Sequence, residues 1–115
     1  MGIQNKACLT ITVAATGAIA ANRFITPAGA QAGADVNTLG VANTAAVSGD
    51  KIPVDVLGTS TLEAGAAVTA GVTVKSDASG RAIAWATSGA KVGIALEAAT
   101  AAGQFIEVLL VPNAV

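Results

Sequence analysis

Residues 65–110 read GAAVTAGVTVKSDASGRAIAWATSGAKVGIALEAATAAGQFIEVLL, and this stretch decides the fold. From Ala66 to Val74, small apolar residues at even positions alternate with mostly polar or small ones, ending in Lys75. That two-residue period is typical of a strand with one buried face. The run Ser76-Asp77-Ala78-Ser79-Gly80 that follows offers side chains for turn hydrogen bonds and a glycine for positive φ. We therefore predict a hairpin at this point.

The second half of the stretch predicts three further strands. The strand after the hairpin turn carries Ile83 and Trp85 on one face, so we expect Trp85 to anchor the core. Alternation over residues 92–96 predicts the next strand. Residues 105–111 are apolar on both faces except at Glu107. A strand of this kind lies in the middle of a sheet, or its second face is covered.

Upstream of this stretch, Leu9, Ile11 and Val13 alternate with threonines, which predicts a half-buried strand. An alternative is a secretory signal, because Lys6 precedes a largely apolar run over residues 7–21. Threonines interrupt that run, so we favour the strand. The chain has no unbroken apolar run of about eighteen residues, and we expect no transmembrane helix.

The sequence predicts an all-β fold, a small β-barrel or β-sandwich of short strands. We divide the chain into residues 1–27, an N-terminal arm or edge strands, and residues 28–115, a β-rich domain. Residues 28–49 are rich in alanine and glycine, and we expect a long loop there with one short strand. Ser60-Thr61-Leu62-Glu63 fits a capping box, so we expect a helical turn at that point.

The composition indicates a protein that depends on assembly. Charged residues make up 11% of the 115 residues and hydrophobic residues 53%, with two Phe, one Trp and no Tyr. A core with few large side chains and a surface with few charges favour oligomerisation or docking on a larger structure. The net charge of −1 gives no electrostatic basis for direct nucleic-acid binding.

The residues needed for common catalytic and metal sites are missing. The chain has no histidine and one cysteine, Cys8, which we expect to be packed rather than reactive. Seven carboxylates are scattered singly, and no phosphate-binding loop occurs. A lipoyl or biotinyl carrier would need a lysine at a hairpin tip, but Lys75 precedes the turn. We therefore expect neither an enzyme nor a cofactor.

Several short motifs occur in a fixed order along the chain: Gly49-Asp50, Ile52-Pro53-Val54, Leu62 to Val68, Ala70-Gly71, Ser76 to Ala82 and Val92 to Ala99. This set closely resembles the small capsid cement, or head decoration, proteins of tailed bacteriophages, over about the last two-thirds of the chain. The resemblance implies a β-rich domain that binds the outside of a capsid shell, bridges neighbouring subunits of the major capsid protein and resists the pressure of packaged DNA. It implies no catalytic residues.

On this reading the protein is a virion component on the capsid exterior, assembled in the host cytoplasm, without contact to nucleic acid or membrane. We expect a homo-oligomer, with a trimer favoured. Our candidate capsid contacts are five residues of the N-terminal arm, which can add a strand to a neighbour's sheet: Leu9, Ile11, Val13, Arg23 and Phe24. The alternative is a secreted or surface β-domain that acts as an adhesion or binding module.

Overall fold

The structure, a computed structural model, describes residues 5–113. These residues contain no helix and form eight strands of a single sheet. The strands are β1 (Lys6–Ala14), β2 (Arg23–Ile25), β3 (Gly40–Ala42), β4 (Lys51–Glu63), β5 (Thr73–Ser76), β6 (Ala82–Ala84), β7 (Gly93–Ala95) and β8 (Phe105–Leu110).

The sheet curls into a nearly closed barrel. Its strand order is β2-β3-β4-β8-β7-β5-β6, with β1 added to β4 outside this path, and all of these pairings are antiparallel. The two ends of the order meet where the Phe24 N–H donates to the Gly80 carbonyl at 2.8 Å. The Glu63 carboxylate also bridges these ends, at 3.1 Å from Arg23 and 3.6 Å from Arg81. The prediction of a small all-β barrel is confirmed.

Two apolar clusters fill the molecule. The main cluster contains Phe24, Ala32, Val41, Leu62, Ala64, Val68, Val74, Ala82, Ala90, Val92, Ala95, Ala99, Ile106, Val108 and Leu110. A second cluster contains Ala15, Ile19, Ile25, Ala42, Ala46, Ile52 and Val54, with Val13, Leu39 and Val56 packed against it. Neighbouring residues of β2 and β3 divide between the two clusters, because successive side chains of a strand point to opposite faces.

The long strand β4 pairs with both β1 and β8, and it bends between these two pairings at Gly58, where φ is +97°. Its first part, through Thr59, pairs with β1, and its last part, from Gly58, pairs with β8. The Ser60 hydroxyl donates to the Asp55 carboxylate at 3.1 Å. Side chains five residues apart on a straight strand would be too far from each other to make this bond. The bend therefore lets a single strand join the barrel to its outer strand.

The predicted hairpin at residues 76–80 is confirmed by the antiparallel pair β5–β6. One carboxylate oxygen of Asp77 accepts the N–H groups of Ser79 and Arg81, at 2.8 and 2.9 Å. Gly80 supplies the positive φ of +77°. The strand that leads into the turn is shorter than expected, since β5 begins after Gly71, whose φ is +89°.

Trp85 does not lie in the core, so its predicted role as a core anchor is wrong. Ala82 is fully buried, while Ile83 and Trp85 are only partly buried. The Trp85 indole N–H donates to the Gly89 carbonyl at 2.9 Å, and the Lys91 ammonium lies 4.5 Å from the ring centre. Strand alternation shows which residues share a face but not which face is turned inward, and here the only fully buried residue of β6 is Ala82, on the face opposite Ile83 and Trp85.

The helical turn predicted at Ser60–Glu63 is also wrong. These four residues belong to β4 and pair with Phe105–Val108 of β8. Antiparallel bonds to β8 replace the reciprocal side-chain bonds that a capping box would make.

Residues 15–25 contribute side chains to the core rather than forming an extended arm. Ala15 and Ile19 are 3% exposed and Ile25 is fully buried. The part of residues 1–27 that the structure describes is therefore strand β1, a packed connection and strand β2. Residues 15–25 supply apolar side chains to the second cluster, and of the two forms predicted for residues 1–27, arm or edge strands, β1 has the place of an edge strand.

The alanine- and glycine-rich connection between β2 and β3 is tied to the barrel. Ala32 is fully buried in the main cluster. Thr38 is held by the Asn113 side chain, which accepts the Thr38 N–H at 2.8 Å and donates to its carbonyl at 3.1 Å. Asp35 forms an ion pair with Lys75 of β5 at 2.8 Å.

Candidate functional site

Strand β1 is the most exposed strand of the sheet. All nine of its residues except Val13, which is partly buried, are exposed. One edge of β1 pairs with β4, and no strand among residues 5–113 pairs with the other edge. The unpaired edge is a row of backbone donors and acceptors that an extended segment of another chain can use.

Three of the five predicted contact residues lie on this strand, and their side chains become more buried from Leu9 to Val13. Leu9 is 46% exposed and Ile11 is 36% exposed. Val13 packs against the second apolar cluster. The apolar surface that β1 presents to solvent therefore lies near its middle, at Leu9 and Ile11, and Val13 anchors its end.

The other two predicted contact residues have structural roles. Phe24 is fully buried in the main cluster, so it offers no surface to a partner and is removed from the candidate site. The Arg23 guanidinium donates to the Glu63 carboxylate at 3.1 Å and to the Ser79 carbonyl at 2.9 Å. These bonds hold the closing seam of the barrel, and the side chain is only 17% exposed.

The sequence of β1 gives its unpaired edge little protection against pairing. Its one charged residue is Lys6, at the start of the strand. Natural edge strands commonly carry charges or proline to block unwanted pairing. The pairing with β4 is irregular around Cys8 and Leu9. From Thr10 to Val13 the register is regular, so this part of the edge suits an added strand, whereas the Gly29 backbone lies against the carbonyl of Ala14.

Cys8 is exposed, not packed as expected. It stands at the irregular step in the β1 pairing, where Ala7 and Leu9 have partners on β4 and Cys8 has none. A small apolar residue in a strand is usually covered. Here the irregular step lies at the outside of the sheet, where no element among residues 5–113 covers Cys8.

A second apolar surface, which the sequence analysis missed, lies on the outer face of β8. Phe105 is 47% exposed and Leu109 is 38% exposed. β8 does lie in the middle of the sheet, between β4 and β7, as predicted. The prediction was a central strand or a covered second face; the structure shows the central strand and leaves these two side chains exposed.

Catalytic and ligand-binding chemistry has little support in residues 5–113. They contain no pocket and no group of three or more potential metal-ligating side chains. No helix in this part of the chain is long and apolar enough to cross a membrane. The unpaired edge of β1 and the exposed side chains of β8 are the surfaces that these residues offer to another macromolecule.

Comparison with known proteins gives a family and a fold. The model of a phage cement protein family matches residues 3–110. No curated protein matched the sequence. The crystal structure of the head fiber gp8.5 N base in bacteriophage phi29 has a TM-score of 0.73 with 19% identity, covering 90% of this chain and 93% of that chain. At this identity the likeness shows a shared fold alone.

Proposed function

Because this chain belongs to the phage cement protein family, we propose that it binds the outer surface of the capsid and cements neighbouring subunits of the major capsid protein. A structural role in the phage particle follows from family membership. In the finer role proposed here, the protein is assembled in the host cytoplasm, lies on the capsid exterior and stabilises the shell against the pressure of packaged DNA.

The observation that carries this proposal is the unpaired edge of β1. An extended capsid segment that pairs with Thr10 to Val13 would gain main-chain hydrogen bonds, and its apolar side chains would cover Leu9 and Ile11. Each such contact is small, but many copies on one shell, or several in one oligomer, act at high effective concentration. Weak single contacts then give tight attachment.

We propose a homo-oligomer as the functional unit, with a trimer favoured. The charged fraction of 11% is low for a free monomer, and six large apolar side chains of residues 5–113 are exposed. Those side chains are Leu9, Ile11, Val36, Val47, Phe105 and Leu109. Four of them lie on β1 and β8, where capsid and subunit contacts can use separate surfaces, and the other two, Val36 and Val47, lie in loops.

The test is binding to expanded shells assembled from the cognate major capsid protein. We expect the wild-type protein to co-sediment with shells, and the double variant Leu9→Lys/Ile11→Lys to remain in the supernatant, because lysine on an edge strand blocks strand addition. Val47→Lys is the matched control, since Val47 is 63% exposed and lies in the turn before β4. It should bind like the wild type.

Two results would contradict the proposal. If the wild-type protein does not co-sediment with shells, the cementing function is wrong. If the double variant binds shells as well as Val47→Lys does, with the circular dichroism spectrum of the wild type, β1 is not the contact.

A third measurement concerns the shell itself: particles that lack the protein should release their DNA at a lower temperature than particles that carry it.

A further inference from the structure

The outer face of β8 combines two exposed apolar side chains with one buried carboxyl group. Ile106, Val108 and Leu110 point into the main cluster. Phe105, Glu107 and Leu109 alternate with them and therefore share the outer face, each about 7 Å from the next. Glu107 is 1% exposed, although it lies between the two exposed side chains.

Of the four most buried polar side chains, Glu107 alone has no partner, although the Arg23 Nε and Asn37 Oδ1 atoms, on less buried side chains, also have none. Ser60, Ser76 and Thr38 each make a side-chain hydrogen bond within residues 5–113. The Glu107 Oε1 atom has less than 1 Å² of accessible surface and no hydrogen-bond partner in that part of the chain. A buried acceptor left without a partner destabilises a fold, so native structures rarely retain one without a reason.

The described residues supply no cation to this carboxyl group. Four ion pairs occur among them, and none includes Glu107. The charged side chain that is hydrogen-bonded to Glu107 is another acid: the Glu97 carboxylate accepts the backbone N–H of Glu107 at 3.2 Å. The outer face of β8 is therefore acidic and apolar, which is complementary to a basic side chain with a long aliphatic stem.

We propose that this patch, formed by Phe105, Glu107 and Leu109, docks an arginine or lysine side chain of the capsid partner. Phe105 and Leu109 flank Glu107 along β8 and are 47% and 38% exposed, so their side chains are available to pack against the stem of the basic residue. Arginine fits best, because its guanidinium bonds a carboxylate at two points. This inference rests on the proposed function, since it names a second contact for the same partner.

The patch continues the surface that begins at β1. Thr59 of β4 pairs with Lys6 of β1 on one side and with Leu109 of β8 on the other. Neighbouring strands lie about 4.8 Å apart, so Leu109 is about 10 Å from the start of β1 across the sheet. A partner segment on the β1 edge can place a basic residue over β8 without leaving this surface.

The test compares two variants at Glu107 in the full chain. Glu107→Leu removes the unpartnered carboxyl group, and we expect a higher thermal midpoint for the free protein. Glu107→Gln keeps the size and one acceptor but loses the charge. Both variants should bind expanded shells at least about 30-fold more weakly than the wild type, the size expected when one partner of a desolvated charge pair is lost.

Two controls separate this contact from general effects. Asp50→Asn makes the same charge change in an exposed turn, where Asp50 accepts one bond from the Val47 N–H. It should leave shell binding unchanged. Phe105→Ala should weaken binding while the circular dichroism spectrum stays that of the wild type, because Phe105 is 47% exposed and absent from the core.

The outcomes distinguish the two proposals. If wild-type protein binds shells and both Glu107 variants bind equally well, the docking of a basic side chain is wrong while the cementing function stands. If Glu107→Leu lowers both stability and binding while Glu107→Gln and Phe105→Ala bind like the wild type, Glu107 has only a structural role. If the wild-type protein does not bind shells, both proposals fail.

Discussion

Several buried polar side chains, unlike Glu107, are hydrogen-bonded to one another or to the backbone of neighbouring strands. The buried Ser60 hydroxyl lies 3.1 Å from the Asp55 carboxylate and 3.2 Å from the Asn43 side-chain oxygen. Asn43 donates in turn to the Thr61 carbonyl at 3.1 Å. Fully bonded polar groups of this kind fix one arrangement of neighbouring strands, because any slip would leave a buried group without a partner. They compensate for a core that has only one fully buried aromatic ring, Phe24, among residues 5–113.

Asp35 gives the fold a dependence on pH. The hydrogen bond from the Lys75 ammonium, with the charge of Lys75 and the Ser88 hydroxyl, lowers the pKa of Asp35 below its ordinary value of 3.8 despite some loss of solvation. A lowered pKa in the folded state means that the pair stabilises the fold above pH 3.8, and that this contribution is lost as the pH falls through the folded pKa.

We therefore predict that Asp35→Asn lowers the thermal midpoint slightly at pH 7 and that the difference from the wild type shrinks below pH 3.8. Asparagine tolerates the positive φ of +64° at this position, so the backbone is not strained by the change. Thermal unfolding followed by circular dichroism across this pH range is the measurement. A difference that stays constant down to the lowest pH would show that the ion pair adds nothing.

At the level of single residues, the sequence predicted local patterns better than roles. The alternation of Leu9, Ile11 and Val13 correctly indicated a strand, because strand periodicity is a local property. The role of Arg23 depends on Glu63, forty residues later, and on closure of the barrel. Nothing near Arg23 in the sequence indicates that pairing. The burial of Glu107 was missed for the same reason, since charged residues in strands usually face solvent.

Among the strands, β4 has the most demanding geometry because it pairs with β1 and with β8 on either side of one bend. A side chain at Gly58 would overlap the Lys6 carbonyl oxygen and lie 2.8 Å from the Cys8 nitrogen. The bend thus requires glycine for two reasons: its φ is +97°, and β1 approaches it too closely for a side chain.

We predict that Gly58→Ala destabilises the protein by about 2–4 kcal/mol, through backbone strain and displacement of β1 together. Gly49→Ala is the matched control, because Gly49 has a similar φ of +95° but open space around it. It should cost only about 1 kcal/mol, the strain alone. Urea unfolding gives both values. Equal losses for the two variants would mean that β1 does not pack closely against the bend.

Strands were easier to predict at the C-terminal end than in the middle of the chain. The continuous apolar run of β8 indicates a central strand whatever surrounds it. Ser60–Glu63 fits a helix start equally well, and only pairing with β8 decides that it is a strand. Tertiary pairing overrides local preference in such short polar segments.

Over the whole molecule, the small core and the exposed apolar surface belong together. Alanines and valines fill most of the barrel, so the chain gains less from its own core than a domain rich in large side chains. The sequence showed this directly through its composition. The family resemblance is confirmed over residues 3–110, and the all-β fold is confirmed by the structure. Which surface stays open could not be read from the sequence, because that depends on how β1 and β8 are placed in the sheet.

If the unpaired edge of β1 binds the capsid, amide hydrogen exchange along this strand should differ between free and shell-bound protein. We predict that amides of Lys6–Ala14 exchange more slowly when the protein is bound to expanded shells, because a partner strand would accept their outward N–H groups. Amides of the β5–β6 turn, residues 77–81, should exchange at the same rate in both states. Unchanged exchange along β1 in protein that is fully bound to shells would contradict the account.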